Sequence, residues 1–329
     1  MWFKKLTGFR EISPNNVREN LTIENDAFVS KINNRKFSFG ALQISTLNEL
    51  KQLSPAIETF NDKISVNEIV ADVQTLHSKI ENTNAIFQAA SQFNLLEMVG
   101  PNVTPEQGID KYENDQTQGP ACAIACGAGT IYRNYFVKLE NQIGQTAEKQ
   151  IDCLELIGKQ LNNEALNLWQ MQNGYALVNQ AGILEINKQL AKLNFEEREH
   201  LKAQLKVGIQ WNTEVTIAKT RHKVTQVYCS TLPVAYSLLD SIYWESFARV
   251  ILEATYEATL YAALINYQKT KCRLVYLTLV GGGAFGNDED WILESLMLAL
   301  KKFKNTPLNI KVVSLRNSNE YLVDFLNEI

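Results

Sequence analysis

The residues with the sharpest chemical meaning lie late in the chain. Arg273-Leu274-Val275-Tyr276-Leu277-Thr278-Leu279-Val280 runs into Gly281-Gly282-Gly283-Ala284-Phe285-Gly286-Asn287, and WILESLMLALKKF follows from Trp291. The first stretch predicts a buried strand, and the last a helix. Glycines between them permit torsions closed to other residues and let backbone N–H groups approach a ligand. The helix adds the positive end of its dipole. Such a loop suits a diphosphate; the bland alternative is a tight turn that only glycine fits. It has neither the Lys-Ser/Thr of a P-loop nor the spacing of a GxGxxG dinucleotide loop. Asp288, Glu289 and Asp290 would repel a diphosphate unless they face away. Asp288 or Asp290 reads as a helix cap, or else as an acid placed for catalysis or for a guanidinium.

Spacing excludes other chemistries. His77, His200 and His222 stand in no hydrolase pattern with Ser or Cys, so a Ser/His/Asp triad is out. His200 and His222 lie in charged stretches and read as exposed. The five cysteines are odd in number and scattered, which argues for reduced thiols rather than a disulfide framework. Cys122 and Cys126 read as small buried hydrophobes on a helix, with no further ligands near for zinc. No metal or cofactor is expected. Glu257, among apolar neighbours on an expected helix, needs an internal salt bridge or a cap to a loop.

A net charge of −4 without clustered Lys and Arg excludes a nucleic-acid surface. No apolar run reaches the ~18 residues of a membrane span. MWFKKLTGFREIS at the start lacks the apolar stretch of a secretory signal. Together these point to a cytoplasmic protein with no membrane contact.

These residues need elements to position them. Residues 1–65 read as a mostly helical N-terminal extension, with Leu42, Leu47, Leu50 and Leu53 at roughly helical spacing. Residues 66–329 read as the main domain. In it, Ala85–Ala90 is a short apolar run that fits a buried strand. A polar loop from Ser91 leads to Gly119-Pro120, which opens a helix of small residues. Residues 137–223 read as a mostly helical insertion, interrupted by the extended NGYALVN at 173–179. Val224–Ser230 is β-branched and aromatic, a strand. Residues 241–268 predict a long, largely buried helix, and Ile310–Leu315 a last strand. Alternating strands and helices imply an α/β fold, a three-layer α/β/α sandwich.

The order of these motifs resembles the macrodomain family over about residues 70–135 and 224–315. Asp72-Val73-Gln74 resembles the family's early acidic residue, which contacts adenine in relatives. Ala85-Ile86-Phe87-Gln88-Ala89-Ala90-Ser91 resembles the strand ending at the ribose, with Gln88 and Ser91 in place of the usual asparagines. Val227–Val234 resembles the central strand that runs into a proline turn, and GGGAFGN resembles the second phosphate-binding loop. QFNLLEM, DQTQGPACA, YRNYF and GGGAFGN look like a branch of macrodomain hydrolases that includes bacterial effectors acting on arginine-linked ADP-ribose.

The resemblance implies a ligand, ADP-ribose or an ADP-ribosylated protein. It implies contacts from Asp72, Gln88, Ser91 and Asn94, from Thr117, Gln118 and Gly119, and from Gly281, Gly282, Gly283, Ala284, Phe285, Gly286 and Asn287. It puts Asp115 near the scissile bond, where a carboxylate activates water or stabilises charge on the ribose; a plain turn aspartate is the alternative. Glu97 is a second acid or a buried, paired structural group. An arginine leaving group is cationic, so Asp115, Glu97, Asp288 and Asp290 would serve it if their loops converge. The activity implied is an ADP-ribosyl hydrolase. The alternatives are a non-catalytic reader of ADP-ribose, or an interaction protein that uses the fold as a scaffold. The insertion offers a surface for a protein partner, and a secreted effector would act in a host cytosol.

Overall fold

In Ile86-Phe87-Gln88-Ala89-Ala90 consecutive side chains meet different layers. Phe87 stacks on His77, ring centroids 3.8 Å apart. Gln88 donates to Thr259 Oγ1 at 3.0 Å on the opposite face. A strand whose alternate side chains are both covered must lie between two layers of helix.

The structure is a computed structural model and describes residues 1–327. Seven strands form its central sheet. In chain order they are β1 (Ala41–Thr46), β2 (Ser65–Val70), β3 (Ile86–Ala90), β4 (Lys206–Glu214), β5 (Lys223–Cys229), β6 (Leu274–Leu277) and β7 (Asn309–Ser314). Their spatial order is β1-β4-β5-β3-β6-β7-β2. β5, β3, β6, β7 and β2 pair in parallel, with Thr225 opposite Ile86 and Tyr276 opposite Phe87. β4 runs antiparallel to both β5 and β1. This is the α/β sandwich that the alternating pattern implied.

The helix Glu245–Thr270 covers one face, buried from Phe247 to Asn266 except at Arg249. Its Glu257 lies beside Lys202 at 2.7 Å and also pairs with Lys302. Its Glu253 takes both terminal nitrogens of Arg198 at 2.7 Å. The internal salt bridge is thus the correct reading of Glu257, because a buried carboxylate needs its charge met. Helices Val73–Ser78 and Gln118–Ala125 pack on the other face. No helix among the described residues is long and apolar enough to cross a membrane.

Two segments differ from expectation. Residues 1–65 are not mostly helical. Helices Trp2–Thr7 and Pro14–Asn20 precede a three-stranded antiparallel sheet (Leu21–Glu24, Ala27–Ser30, Lys36–Ser38), and β1 joins the central sheet. Leu42 belongs to β1, while Leu47 and Leu50 start a helix capped by Thr46 and Glu49. Apparent helical spacing therefore spanned a strand–helix boundary. Residues 137–223 are not wholly an insertion either, since β4 supplies the sheet between β1 and β5. NGYALVN is the second half of a hairpin, Trp169–Gln172 with Tyr175–Val178. Its turn, Asn173-Gly174, has φ of 47° and 82°, the geometry that an Asn-Gly hairpin turn requires.

His222 also departs from expectation. It is buried, and its Nε2 lies 2.8 Å from the His77 carbonyl. Burial lowers His77 to about 4, so the ring is neutral at ordinary pH.

Candidate functional site

In an open parallel sheet, ligands sit at the carboxyl ends of the strands. Ala71 and Asp72 after β2, Ser91 after β3, Thr231 after β5, Thr278 after β6 and Leu315 after β7 all line cavities at that edge. There are two adjoining lobes, one of about 400 Å³ and one of about 550 Å³. Gln116, Gln118, Thr278, Leu279, Gly283 and Leu315 line both, so the lobes form one cleft.

The glycine loop forms its roof. Gly281 has φ of 88°, and a Cβ there would lie 2.4 Å from Thr231 Oγ1. Gly283 is different: a Cβ would meet no protein atom within 4 Å and would stand in open space. Gly283, Ala284 and Phe285 line the first lobe. Among the described residues, their N–H groups donate to no backbone acceptor. Backbone donors left unpaired around a concavity have the geometry of an anion-binding nest. Asn287 has another task. Its amide donates to the Leu232 carbonyl at 2.8 Å and stitches the loop to the segment after β5.

The first lobe gathers Ser91, Glu97, Asp115, Thr117, Gln118, Gly119 and Phe285. Gln118 accepts from the Ala90 N–H and donates to the Gln88 carbonyl, both at 2.8 Å, and so continues β3 with its side chain. Gly119 permits this contact, since a Cβ would fall 2.2 Å from the Ala90 oxygen. Asp115 Oδ1 accepts the Thr117 N–H at 2.8 Å, a turn that leaves the carboxylate half-buried at the lobe.

Glu97 forms the floor. Arg133, fully buried in a π-helical turn (Tyr132–Phe136), approaches it at 3.1 Å. Arg133 also donates to the Leu95 carbonyl at 2.9 Å and to the Tyr228 hydroxyl, and lies 3.5 Å from the Tyr228 ring centre. Leu95 holds a φ of 65°, which for a leucine is strained backbone kept by its surroundings. Burial raises the Glu97 carboxyl to about 7, against the pull of Arg133.

Asp72 lines the second lobe, and one of its oxygens caps Val73–Ser78 by accepting the Thr75 N–H at 2.7 Å. Gly282 and Asn287 line that lobe too.

Other expectations need correction. Gln88 is 1% exposed; its amide serves Thr259 and its carbonyl oxygen accepts the Thr278 N–H at 3.2 Å, so it faces the long helix rather than a ligand. Asn94 is fully buried, bonded to Gln150 at 2.8 Å and to the Leu96 N–H at 3.1 Å. Asp288 and Asp290 line neither lobe. Asp288 caps the following helix by accepting the Asp290 N–H at 2.9 Å, and Asp290 accepts the Tyr321 hydroxyl. The four acids therefore do not converge; Glu97 and Asp115 do. Gly286, with φ of 67°, shapes the loop beside Ala235 and lines neither lobe. Among the described residues no group of three or more His, Cys, Asp or Glu could hold a metal ion.

Three residues escaped sequence reasoning. Tyr175 from the hairpin and Tyr236 after the proline turn meet Phe285 at centroid distances of 5.3 and 5.9 Å, and give the first lobe an aromatic wall. The Asn-Gly turn announced the hairpin but not its destination. Arg133 sat within YRNYF, where an arginine amid aromatics signals a buried charge that needs an acid.

The sequence matches no protein-family model and no curated protein. Among solved structures the chain is similar to poly(ADP-ribose) glycohydrolase from Thermomonospora curvata, at TM-score 0.45 and 11% identity over 95% of each chain. It is similar to the Thermomonospora curvata glycohydrolase bound to the inhibitor ADP-HPD at TM-score 0.43 and 10% identity, again over 95% of each. It is also similar to the Deinococcus radiodurans glycohydrolase in complex with ADP-ribose, at TM-score 0.42 and 9% identity, over 87% of this chain and 91% of that one.

Proposed function

We propose that the cleft binds ADP-ribose and that the protein hydrolyses it from modified protein side chains, arginine foremost. One observation carries this reading. Two carboxylates, Glu97 and Asp115, line a lobe roofed by a glycine loop in which the Gly283, Ala284 and Phe285 amides donate to no backbone acceptor among the described residues and suit a diphosphate. The second lobe, with Asp72, takes the adenosine end.

Arginine is favoured by the first lobe's chemistry. A guanidinium pairs with carboxylates and stacks on aromatic rings. Glu97 and Asp115 supply the former, and Tyr175, Tyr236 and Phe285 the latter. In the reaction Asp115 takes a proton from water as the oxygen attacks the anomeric carbon of the distal ribose. The carbon–nitrogen bond breaks, its electron pair passes to the guanidine nitrogen, and the proton returns to that nitrogen. Free ADP-ribose and an unmodified arginine result. The modified protein lies against the insertion, whose Tyr175 borders the lobe.

A second reading, a reader without turnover, is favoured by the commitment of Glu97 to Arg133. Calorimetric titration with ADP-ribose, AMP as control, tests binding first. A dissociation constant of about 1 μM for ADP-ribose, at least about tenfold weaker for AMP, is expected. No binding to either sinks both readings. Release of ADP-ribose from an arginine-ADP-ribosylated peptide then separates hydrolase from reader. Gly281→Ala is expected to weaken ADP-ribose at least about tenfold in the same titration, because the positive φ and the Thr231 contact force the loop to move. Unchanged affinity would remove the loop from the ligand.

A further inference from the structure

We infer that Glu11, on the N-terminal segment, is a positioning residue for Asp115, so that residues 1–13 help to hold the turn that carries it; this rests on the reading of the cleft given above. Asp115 stands at the end of a stretch, 108–117, that has no place in any sheet. Buried backbone N–H groups in such a stretch need acceptors. Glu11 provides them. Its Oε2 accepts the N–H of Ile109 at 2.9 Å and of Asp110 at 2.7 Å. Its Oε1 accepts the Tyr135 hydroxyl at 2.5 Å. Contact is tight enough that a Cβ on Gly108, which has φ of 89°, would lie 2.3 Å from Glu11 Oε2.

The clamp is connected to both acids of the lobe. From Ile109 the chain turns through Asp110–Asn114, with the Tyr112 N–H donating to the Ile109 carbonyl at 3.1 Å. The Asp115 N–H donates to the Tyr112 carbonyl at 3.1 Å. The Tyr112 hydroxyl accepts the Glu97 N–H at 2.9 Å. A turn of this kind has poor hydrogen-bond geometry and little stability of its own. The N-terminal segment reinforces it elsewhere. The Trp2 indole donates to the Ile109 carbonyl at 3.2 Å, and Trp2, Phe3 and Leu6 share a core with Ile109, Tyr112, Leu96 and Met98. Glu11 touches neither the glycine loop nor the second lobe.

The test compares E11A and E11Q with the wild type in the full-length protein. An amide side chain at position 11 keeps a carbonyl oxygen for the Ile109 and Asp110 N–H groups, and its NH₂ donates to the Tyr135 hydroxyl. On an arginine-ADP-ribosylated peptide, E11A is expected to lose kcat by at least about tenfold, with ADP-ribose affinity within about threefold. E11Q is expected to stay within about threefold in kcat. Hydrogen exchange at Ile109, Asp110, Asp115 and Thr117 is expected to quicken in E11A and not in E11Q. The inference is overturned if E11A keeps its kcat, if its ADP-ribose affinity falls in proportion to kcat, if E11Q fails to rescue, or if exchange at these amides is unchanged. Wild-type protein that binds ADP-ribose and releases none from the peptide overturns the hydrolase reading, and this inference with it. Turnover by the wild type and equal turnover by E11A overturns this inference alone.

Discussion

Asp115→Asn is expected to slow release of ADP-ribose from an arginine-modified peptide by at least about 10²-fold, the scale of a lost general base. The substitution isolates the charge. An asparagine carbonyl still accepts the Thr117 N–H that Asp115 Oδ1 holds at 2.8 Å, so the turn into helix Gln118–Ala125 survives. Affinity for ADP-ribose should therefore stay within about threefold, because the glycine-loop amides and the Asp72 lobe are untouched. A loss in kcat without a loss in binding marks an interaction made only in the transition state. Full turnover in D115N would move the chemistry elsewhere, with Glu97 the other acid of that lobe.

Arg133→Met is expected to cost about 3–5 kcal/mol of folding stability, the usual result of removing one partner from a buried ion pair. Methionine fills part of the volume but donates nothing. Glu97, 3% exposed, would keep its place with the Arg133 guanidinium gone from beside it. The Leu95 carbonyl and the Tyr228 hydroxyl would each lose a donor.

The effect has a pH signature. Burial already raises Glu97 from 4.5 to about 7, while Arg133 lowers it. A carboxyl raised on folding binds its proton more tightly in the folded state. Its contribution therefore becomes less favourable as pH rises from about 4.5 to about 7. Without Arg133 the carboxyl rises further, and that decline extends to higher pH. Denaturant unfolding at about pH 5 and about pH 8 should then show a larger R133M deficit at the higher pH. An equal deficit at both would mean that Glu97 does not respond to Arg133.

Much of this protein follows from local sequence. Ile86–Ala90, Lys223–Cys229, Leu274–Leu277 and Asn309–Ser314 are strands because short β-branched or apolar runs between turn residues have few other uses. Glu245–Thr270 is a buried helix because its apolar face is broad. The glycine loop and the helix cap at Asp288 obey rules that act within a few residues. What tertiary structure alone decided is where side chains point and which distant segments meet. Gln88 faces the long helix because the register of β3 puts Phe87 on the other side. Asp290 leaves the cleft because the helix Glu320–Leu326 offers it Tyr321. β1 and β4 extend the sheet through pairings with each other that no short window of sequence contains. Tyr175 reaches the lobe from a hairpin, and Arg133 reaches Glu97 from a helical turn, across loops whose closure entropy depends weakly on length. Residue type and period act locally, whereas the site is built from contacts between segments far apart in the chain, and those are settled only when the whole core packs at once.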